Sequence, residues 1–393
     1  MTPHERKGAL TAVVAATLYD GTGADPLHEV AVVINGDIID GVCPAGDLPG
    51  NVDITARSPV VTPGMIDLQI NGAGGVLFND RPTAKTLELM AAAARKGGTA
   101  FTLPTFITAH SHGLADAMSA VRNAIDQSVP GILGVHLEGP FLSPKRPGIH
   151  PKDAIRRIEA ADLETLSGDI GGPRLITLAP EEAPDGAVRA LSQSGAIVFA
   201  GHSEASYDEM VAAEAEGIRG ATHLFNAMSQ IGSRAPGAVG GVFDSRKLVA
   251  GIIADGFHVH PANLRLAFRV LGPARLFLVT DAMSTLGTDL KEFRLLGKNI
   301  TLKDGRLVDS TGTLAGAHVA MDECVQTMIR TAGVSPAQAV QMATSTPAHA
   351  IGLGDRIGRV AKGFRAALSL MSGQFKAEGV FLDGKLYRSS PPD

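Results

Sequence analysis

Tryptophan is absent from this 393-residue chain, and cysteine occurs only as Cys43 and Cys324. The two cysteines lie far apart and outside any CxxC pattern, which excludes a disulfide framework and a thiolate zinc site and leaves both as small buried hydrophobes. A run of about 18 apolar residues, the length that spans a membrane, occurs nowhere. The first ten residues carry His4, Glu5, Arg6 and Lys7 with no apolar core of a signal peptide behind them, so a cytoplasmic protein is expected. Positive charge is not in excess either: Lys and Arg total 35 against 40 for Asp and Glu, with no basic run to track a nucleic-acid backbone. A nucleic-acid partner and a membrane partner are therefore not expected, and any phosphate must be met by a few local groups.

What the chain does have is glycine (46) and proline (23), together with 45% hydrophobic residues. That composition suits a large core built from many tight strand-to-helix turns. Near the N-terminus, Leu10 to Leu18, Val30 to Ile34 and Ile38 to Val42 are β-like and are separated by the turn signals Asp20-Gly21 and Asn35-Gly36. A second β-like group, Ala366 to Met371, Gly379 to Leu382 and Lys385 to Arg388, lies near the C-terminus. Between these groups eight apolar runs alternate with helix-compatible segments. The runs are Val60 to Gln69, Thr99 to Leu103, Gly131 to Glu138, Arg174 to Ala179, Ala196 to His202, Gly217 to His223, Lys247 to Ala254 and Arg275 to Asp281. Helices are expected at Thr83 to Lys96, Ser111 to Gln127, Asp153 to Leu166, Ser206 to Ala215, Pro261 to Val270, Met321 to Thr331 and Pro336 to Ile351. The alternation predicts an α/β protein, a (β/α)8 TIM-type barrel over residues 60–359, with a small β-sandwich-like domain formed from residues 1–59 and 360–393. No GxGxxG opens a helix after the first strand, which argues against a dinucleotide fold. The stretch Phe225 to Asp244 reads as a functional excursion over the barrel mouth.

In such a barrel the chemistry sits where the strands end. Those positions hold Asp67, Gln69 and Asn71, Glu138, His202, His223 and Asp281, while the seventh run leads into Asp255, His258 and His260. One strand-end histidine is most simply a satisfied polar residue. Two histidines and a carboxylate converging from three strands match a catalytic metal site with an open position for water. His136 is expected one layer deeper, as barrel filling. An Asp after an apolar strand can be a helix N-cap; beside a metal, Asp281 instead takes a proton from bound water and returns it to a departing amine. Arg234, Arg246, His258 and His260 can form a cationic patch for an anionic substrate, or Arg234 can be a solvated loop residue.

The segments PGMIDLQINGAGG, HLEGPF, AGHS, THLFNAM, ADGFHVHP and LVTDAM, in this order and spacing, resemble the N-acetylglucosamine-6-phosphate deacetylases of the amidohydrolase superfamily, from about Pro63 to Thr346. The resemblance implies a deacetylating hydrolase with a metal on Glu138, His202 and His223, zinc first and iron, cobalt or manganese also compatible. It implies Asp281 as general base and then general acid. It further implies substrate contacts from His150, Asn226, the Ala227 backbone, His258 and Arg234, with Arg234 reaching the neighbouring active site of a homodimer. Where most of the superfamily has His-x-His and a second metal, this chain has Gln69-Ile70-Asn71. Neutral amides are poor transition-metal ligands, so one metal per chain is expected. Phe225 stands where the family often has Tyr. Strand four, RLITLA, offers no lysine of the kind that other amidohydrolases carbamylate. Two alternatives stay open: deacetylation of N-acetylgalactosamine 6-phosphate, and a non-catalytic barrel used for binding.

Overall fold

The computed structural model describes residues 10–110 and 113–389. Residues 1–9 and the expected helix start at Ser111 lie outside that range. Eight parallel strands follow one another in a single sheet: Met65–Ile70, Thr99–Ile107, Val135–Glu138, Arg174–Leu178, Ile197–Ala200, Ile218–Ala221, Val249–Ile253 and Leu276–Val279. The first and last meet through a parallel bridge, Ile70 to Ala282. Across this seam Asp281 N–H donates to the Gln69 carbonyl and Asn71 N–H to the Ala282 carbonyl, both at 2.9 Å. The sheet thus closes as a barrel. Its strands read as continuous apolar runs because both faces are covered, by the barrel interior on one side and by helices on the other.

The outer helices begin where capping chemistry allows. Thr83 caps Ala84–Arg95 by accepting the Thr86 N–H. Ser206 and Glu209 form a reciprocal capping box at Tyr207–Glu216. Helix three starts at Ala160, seven residues later than expected, because Glu159 N–H is capped by the Asp162 carboxylate and the preceding segment holds only a short 3-10 turn, Lys152–Ala154. The expected helix Pro336 to Ile351 is two, Pro336–Ala343 and Ser345–Ala350. The break at Thr344 puts Pro347 in the first turn of the second helix, where an N–H would have no partner within the helix. Helix Ala187–Gln193 was not expected from the sequence. The segment Phe225 to Asp244 is only partly an excursion, since Gly237–Asp244 is the sixth outer helix.

The terminal segments form one seven-stranded sheet in the order Lys385–Arg388, Ala377–Leu382, Leu368–Met371, Asp53–Pro63, Thr11–Leu18, Leu27–Asn35 and Ile38–Pro44. Its interior carries Val13, Val32, Ile34, Val61, Leu368 and Phe381. Residues Val60 to Pro63, expected at the start of barrel strand one, belong to this sheet, and the barrel strand begins at Met65. Gly64 is the corner. A Cβ there would stand 2.5 Å from Ala100 Cβ and 3.1 Å from Ala367 Cβ. A third, three-stranded antiparallel sheet, Glu292–Leu295, Lys298–Lys303 and Arg306–Val308, is inserted after the last barrel strand. Among the described residues no helix is long and apolar enough to cross a membrane.

The packing at Gly64 gives a direct test. Gly64→Ala is expected to lower unfolding stability by about 1–3 kcal/mol, the usual cost of overpacking, with no loss of metal-binding capacity. Urea unfolding at neutral pH reads this, and a variant as stable as wild type means the two units do not pack as tightly as described.

Candidate metal centre and active site

Barrel strands three, five and six bring three donor atoms to one point. Glu138 Oε1 lies 2.9 Å from His223 Nε2 and 3.1 Å from His202 Nε2, and the two ring nitrogens are 3.1 Å apart. All three side chains are buried. His202 Nδ1 lies 2.9 Å from the Arg146 carbonyl, and since a carbonyl only accepts, that nitrogen carries the proton and Nε2 presents a lone pair to the cluster. A carboxylate oxygen and two imidazole nitrogens so placed repel one another unless a cation joins them. The arrangement fits a metal ion, and it is the one Glu/His/His group among the described residues able to hold one.

Asp281 stands beside this cluster. Its Oδ1 accepts from Asn71 Nδ2 at 2.6 Å and from Gln69 Nε2 at 3.3 Å, and Gln69 Nε2 also lies 3.2 Å from Glu138 Oε2. Burial, reinforced by the negative charge of Glu138, pushes the Asp281 carboxyl up to about 6. Among the hydrogen bonds of the described residues none is an N-cap contact from Asp281, and its backbone bonds tie strand one to the segment around Ala317. His202, His223 and Asp281 all have left-handed backbone, with φ of 48°, 32° and 50°. Each lies just past the end of its strand, where the chain turns into the loop at the barrel mouth.

These residues share a cavity of about 240 Å³ with Asn71, His150, Asn226, Ala227 and His258. His150 Nδ1 pairs with Thr108 Oγ1 at 2.9 Å, and burial, with the His202 ring 4.4 Å away, drops its pKa to about 3, so it is a neutral imidazole. His258 Nδ1 donates to Asp255 Oδ2 at 2.6 Å, which leaves Nε2 for other partners. Gln69 lies beneath the cavity, behind the two carboxylates it bonds. Arg234 is not in this cavity; it sits on the exposed loop of residues 231–236. Arg246 precedes strand seven and so lies at the opposite end of the barrel from the mouth, which removes it from the expected cationic patch. His136 is buried one layer down, bonded to Thr105 and Thr177, as expected for barrel filling. Ile107, Ile149, Met283 and Leu314, not expected from the sequence, line the cavity as an apolar wall, and the first three pack against the inserted sheet. Asp304-Gly305, a hairpin signal inside that sheet, was the available clue.

With this geometry in place, comparison with known proteins identifies the class: residues 60–387 match the amidohydrolase family, and the chain belongs to it. More particularly, it is 37% identical over 380 residues to the N-acetylglucosamine-6-phosphate deacetylase of Haemophilus influenzae, covering 95% of this chain and 98% of that protein. It is 41% identical over 330 residues to the N-acetylgalactosamine-6-phosphate deacetylase of Shewanella sp., covering 84% of this chain and 83% of the other. The crystal structure of N-acetylglucosamine-6-phosphate deacetylase from Pasteurella multocida superposes with a TM-score of 0.92 at 37% identity, over 96% of this chain and all of that one.

Below Gln69, Asp67 ties the barrel seam. Its Oδ1 accepts from the backbone N–H of Gln69 at 3.1 Å and of Thr280 at 3.2 Å, while its Oδ2 accepts from the Thr280 hydroxyl. Burial outweighs these bonds and raises the carboxyl to about 7. A folded-state value above the unfolded one, about 4, gives stabilisation that is complete below pH 4 and lost as pH rises through 7. Asparagine keeps the Oδ1 contacts and can donate to the Thr280 oxygen without titrating. Asp67→Asn is therefore expected to gain stability relative to wild type as pH rises from 5 to 8; a stability difference that does not change with pH, measured by urea unfolding, contradicts the raised value.

Proposed function

We propose that this amide hydrolase removes the acetyl group from N-acetylglucosamine 6-phosphate, giving glucosamine 6-phosphate and acetate. The observation that carries this reading is the Glu138, His202 and His223 cluster with the Asp281 carboxylate beside it in one cavity. Glu138, His202 and His223 hold one divalent metal, zinc first. A single ion is supported by Gln69 and Asn71, whose amide N–H groups point at the neighbouring carboxylates and so occupy with donors the space a second cation would need. A bound divalent ion lowers the pKa of water toward neutrality and polarises the acetyl carbonyl. Asp281 takes a proton from the attacking water as the new C–O bond forms. The same proton passes from Asp281 to the sugar nitrogen as the C–N bond breaks. Water and amide are thereby converted to amine and acetic acid, with one residue serving both transfers.

Neutral His150 and the Asn226 and Ala227 region contact the sugar, and His258, fixed by Asp255, turns Nε2 toward the phosphate end. Arg234 serves the phosphate of the neighbouring subunit in a homodimer, a reading supported by its exposed loop outside its own cavity. A cytoplasmic setting suits a phosphorylated small-molecule substrate. The division into a barrel of residues 60–359 and a small domain of 1–59 with 360–393 is supported by the separate apolar cluster inside the terminal sheet. A second reading, N-acetylgalactosamine 6-phosphate, rests on the similarity to a relative that carries that name.

Acetate release from both 6-phosphates, and from the unphosphorylated sugars, tests the reading. Turnover on N-acetylglucosamine 6-phosphate is expected to exceed that on the galacto isomer, with about one metal per chain; the reverse order selects the second reading. Asp281→Asn is expected to lower kcat by about 10² to 10⁴ while metal content stays near wild type. Near-normal turnover in that variant means that the base lies elsewhere. Arg234→Ala is expected to raise KM for the phosphorylated sugar alone, by the roughly 1.5–3 kcal/mol of a hydrogen bond to a charged group. Equal effects on phosphorylated and unphosphorylated sugars, or full activity in a dilute monomer, contradict the cross-subunit role.

A further inference from the structure

Asn71 uses only half of its side chain inside the protein. Its Nδ2 donates to Asp281 Oδ1 at 2.6 Å, but its Oδ1 is buried without a hydrogen-bond partner, in a residue only 2% exposed that lines the cavity. A buried acceptor left unpaired costs about 1–3 kcal/mol, so its position implies a donor supplied from the cavity side. The backbone is rigidly held: Asn71 N–H donates to Ala282 O, and Asn71 O accepts from Phe78 N–H at 3.0 Å. The main chain is thus fixed at the cavity wall, and the Nδ2 bond to Asp281 holds the side chain in place.

Within the proposed reaction, the donor that must come close to Asp281 is the scissile amide N–H. Asp281 has to deliver a proton to that nitrogen's lone pair, and the transfer requires the N–H to point elsewhere while the lone pair faces the carboxyl. Both amide donors, Asn71 Nδ2 and Gln69 Nε2, sit on Asp281 Oδ1, which leaves Oδ2 for proton transfer. An acceptor covalently fixed to the group that grips Asp281 is well placed to set this orientation.

We propose, resting on the deacetylase reading, that Asn71 is a substrate-contacting residue: its Oδ1 accepts the N–H of the scissile amide while its Nδ2 holds Asp281, so that leaving nitrogen and general acid are aligned by one side chain. The reaction balance is unchanged. Asn71 forms and breaks no covalent bond, and it keeps its hydrogen bond to the nitrogen as the amide becomes an amine.

The test separates substrate contact from mere support of Asp281. In wild type and Asn71→Ala, kcat/KM is measured on N-acetylglucosamine 6-phosphate and on the corresponding 2-O-acetyl ester of glucose 6-phosphate, which has no N–H. The expected result is a loss on the amide roughly tenfold greater than on the ester, the ratio of one hydrogen bond. Equal losses on both overturn the proposal and leave Asn71 as a support for Asp281. As a binding readout, calorimetry with glucosamine 6-phosphate and 2-deoxyglucose 6-phosphate compares ligands with and without an amine. The preference for the amine is expected to shrink several-fold in the variant, and an unchanged preference counts against the contact. Asn71→Ser, which keeps a small polar group, supplies the same two comparisons if the alanine variant does not fold. Inactivity of the wild type on the amide with turnover of another substrate class instead rejects the deacetylase reading, and the proposal falls with it.

Discussion

Three lone pairs are brought together at the mouth of the barrel. Glu138 Oε1, His202 Nε2 and His223 Nε2 lie within 3.1 Å of one another in pairs, and each belongs to a side chain with at most a few per cent exposure. Without a cation between them the arrangement is repulsive, and burial of the three side chains weakens the screening that bulk water would give. Much of the neighbourhood can be understood as what keeps those atoms from drifting apart. The Arg146 carbonyl fixes the His202 tautomer, the Gln69 amide bonds the far oxygen of Glu138, and the parallel strands hold the three backbones at fixed spacing.

The seam of the barrel serves the same end. Strand one contributes no acceptor to the cluster, yet it borders the cluster from the side where the chain begins and ends its circuit. Asp67, Gln69 and Asn71 alternate along it, the first binding strand eight below, the other two gripping the carboxylates above. In a strand, residues two apart face the same way, so one short run closes the barrel and furnishes the site. Substitution of amides for the ring nitrogens common in the superfamily thus replaces lone pairs with N–H donors and changes the electrostatic sign of that wall.

How much of this could be read in advance varies with the physics behind each feature. The barrel, its eight strands, and the convergence of Glu138, His202, His223 and Asp281 followed from apolar runs ending in polar residues, because a strand's end is visible where hydrophobicity stops. The boundary at Gly64 was passed over although Pro63-Gly64 is a turn signal, because the β-like residues on either side of it, Val60 to Thr62 and Met65 to Gln69, join into one run when only the apolar pattern is followed. Helix Ala187–Gln193 is too short to show a strong period, and its start is uncapped by any side chain. The apolar wall from Ile107, Ile149, Met283 and Leu314 came from four separate loops and strands, a juxtaposition that only the fold creates. Arg246 illustrates the opposite error. It is near the site in sequence but precedes its strand, and direction along a barrel strand decides which end a residue occupies.

The left-handed backbone at His202, His223 and Asp281 bears on how the protein can change over time. For an L-residue that conformation costs roughly 1–2 kcal/mol, and glycine at the same position avoids the penalty. Three of the four residues to which the chemistry is assigned thus sit where glycine would relieve the backbone. Selection for stability alone would favour relaxing these turns at the expense of the site, while selection for turnover retains their local conformational cost. Robustness and reactivity draw on the same few backbone angles here, so a sturdier version that still works must gain its stability elsewhere, in the outer helices or the terminal sheet.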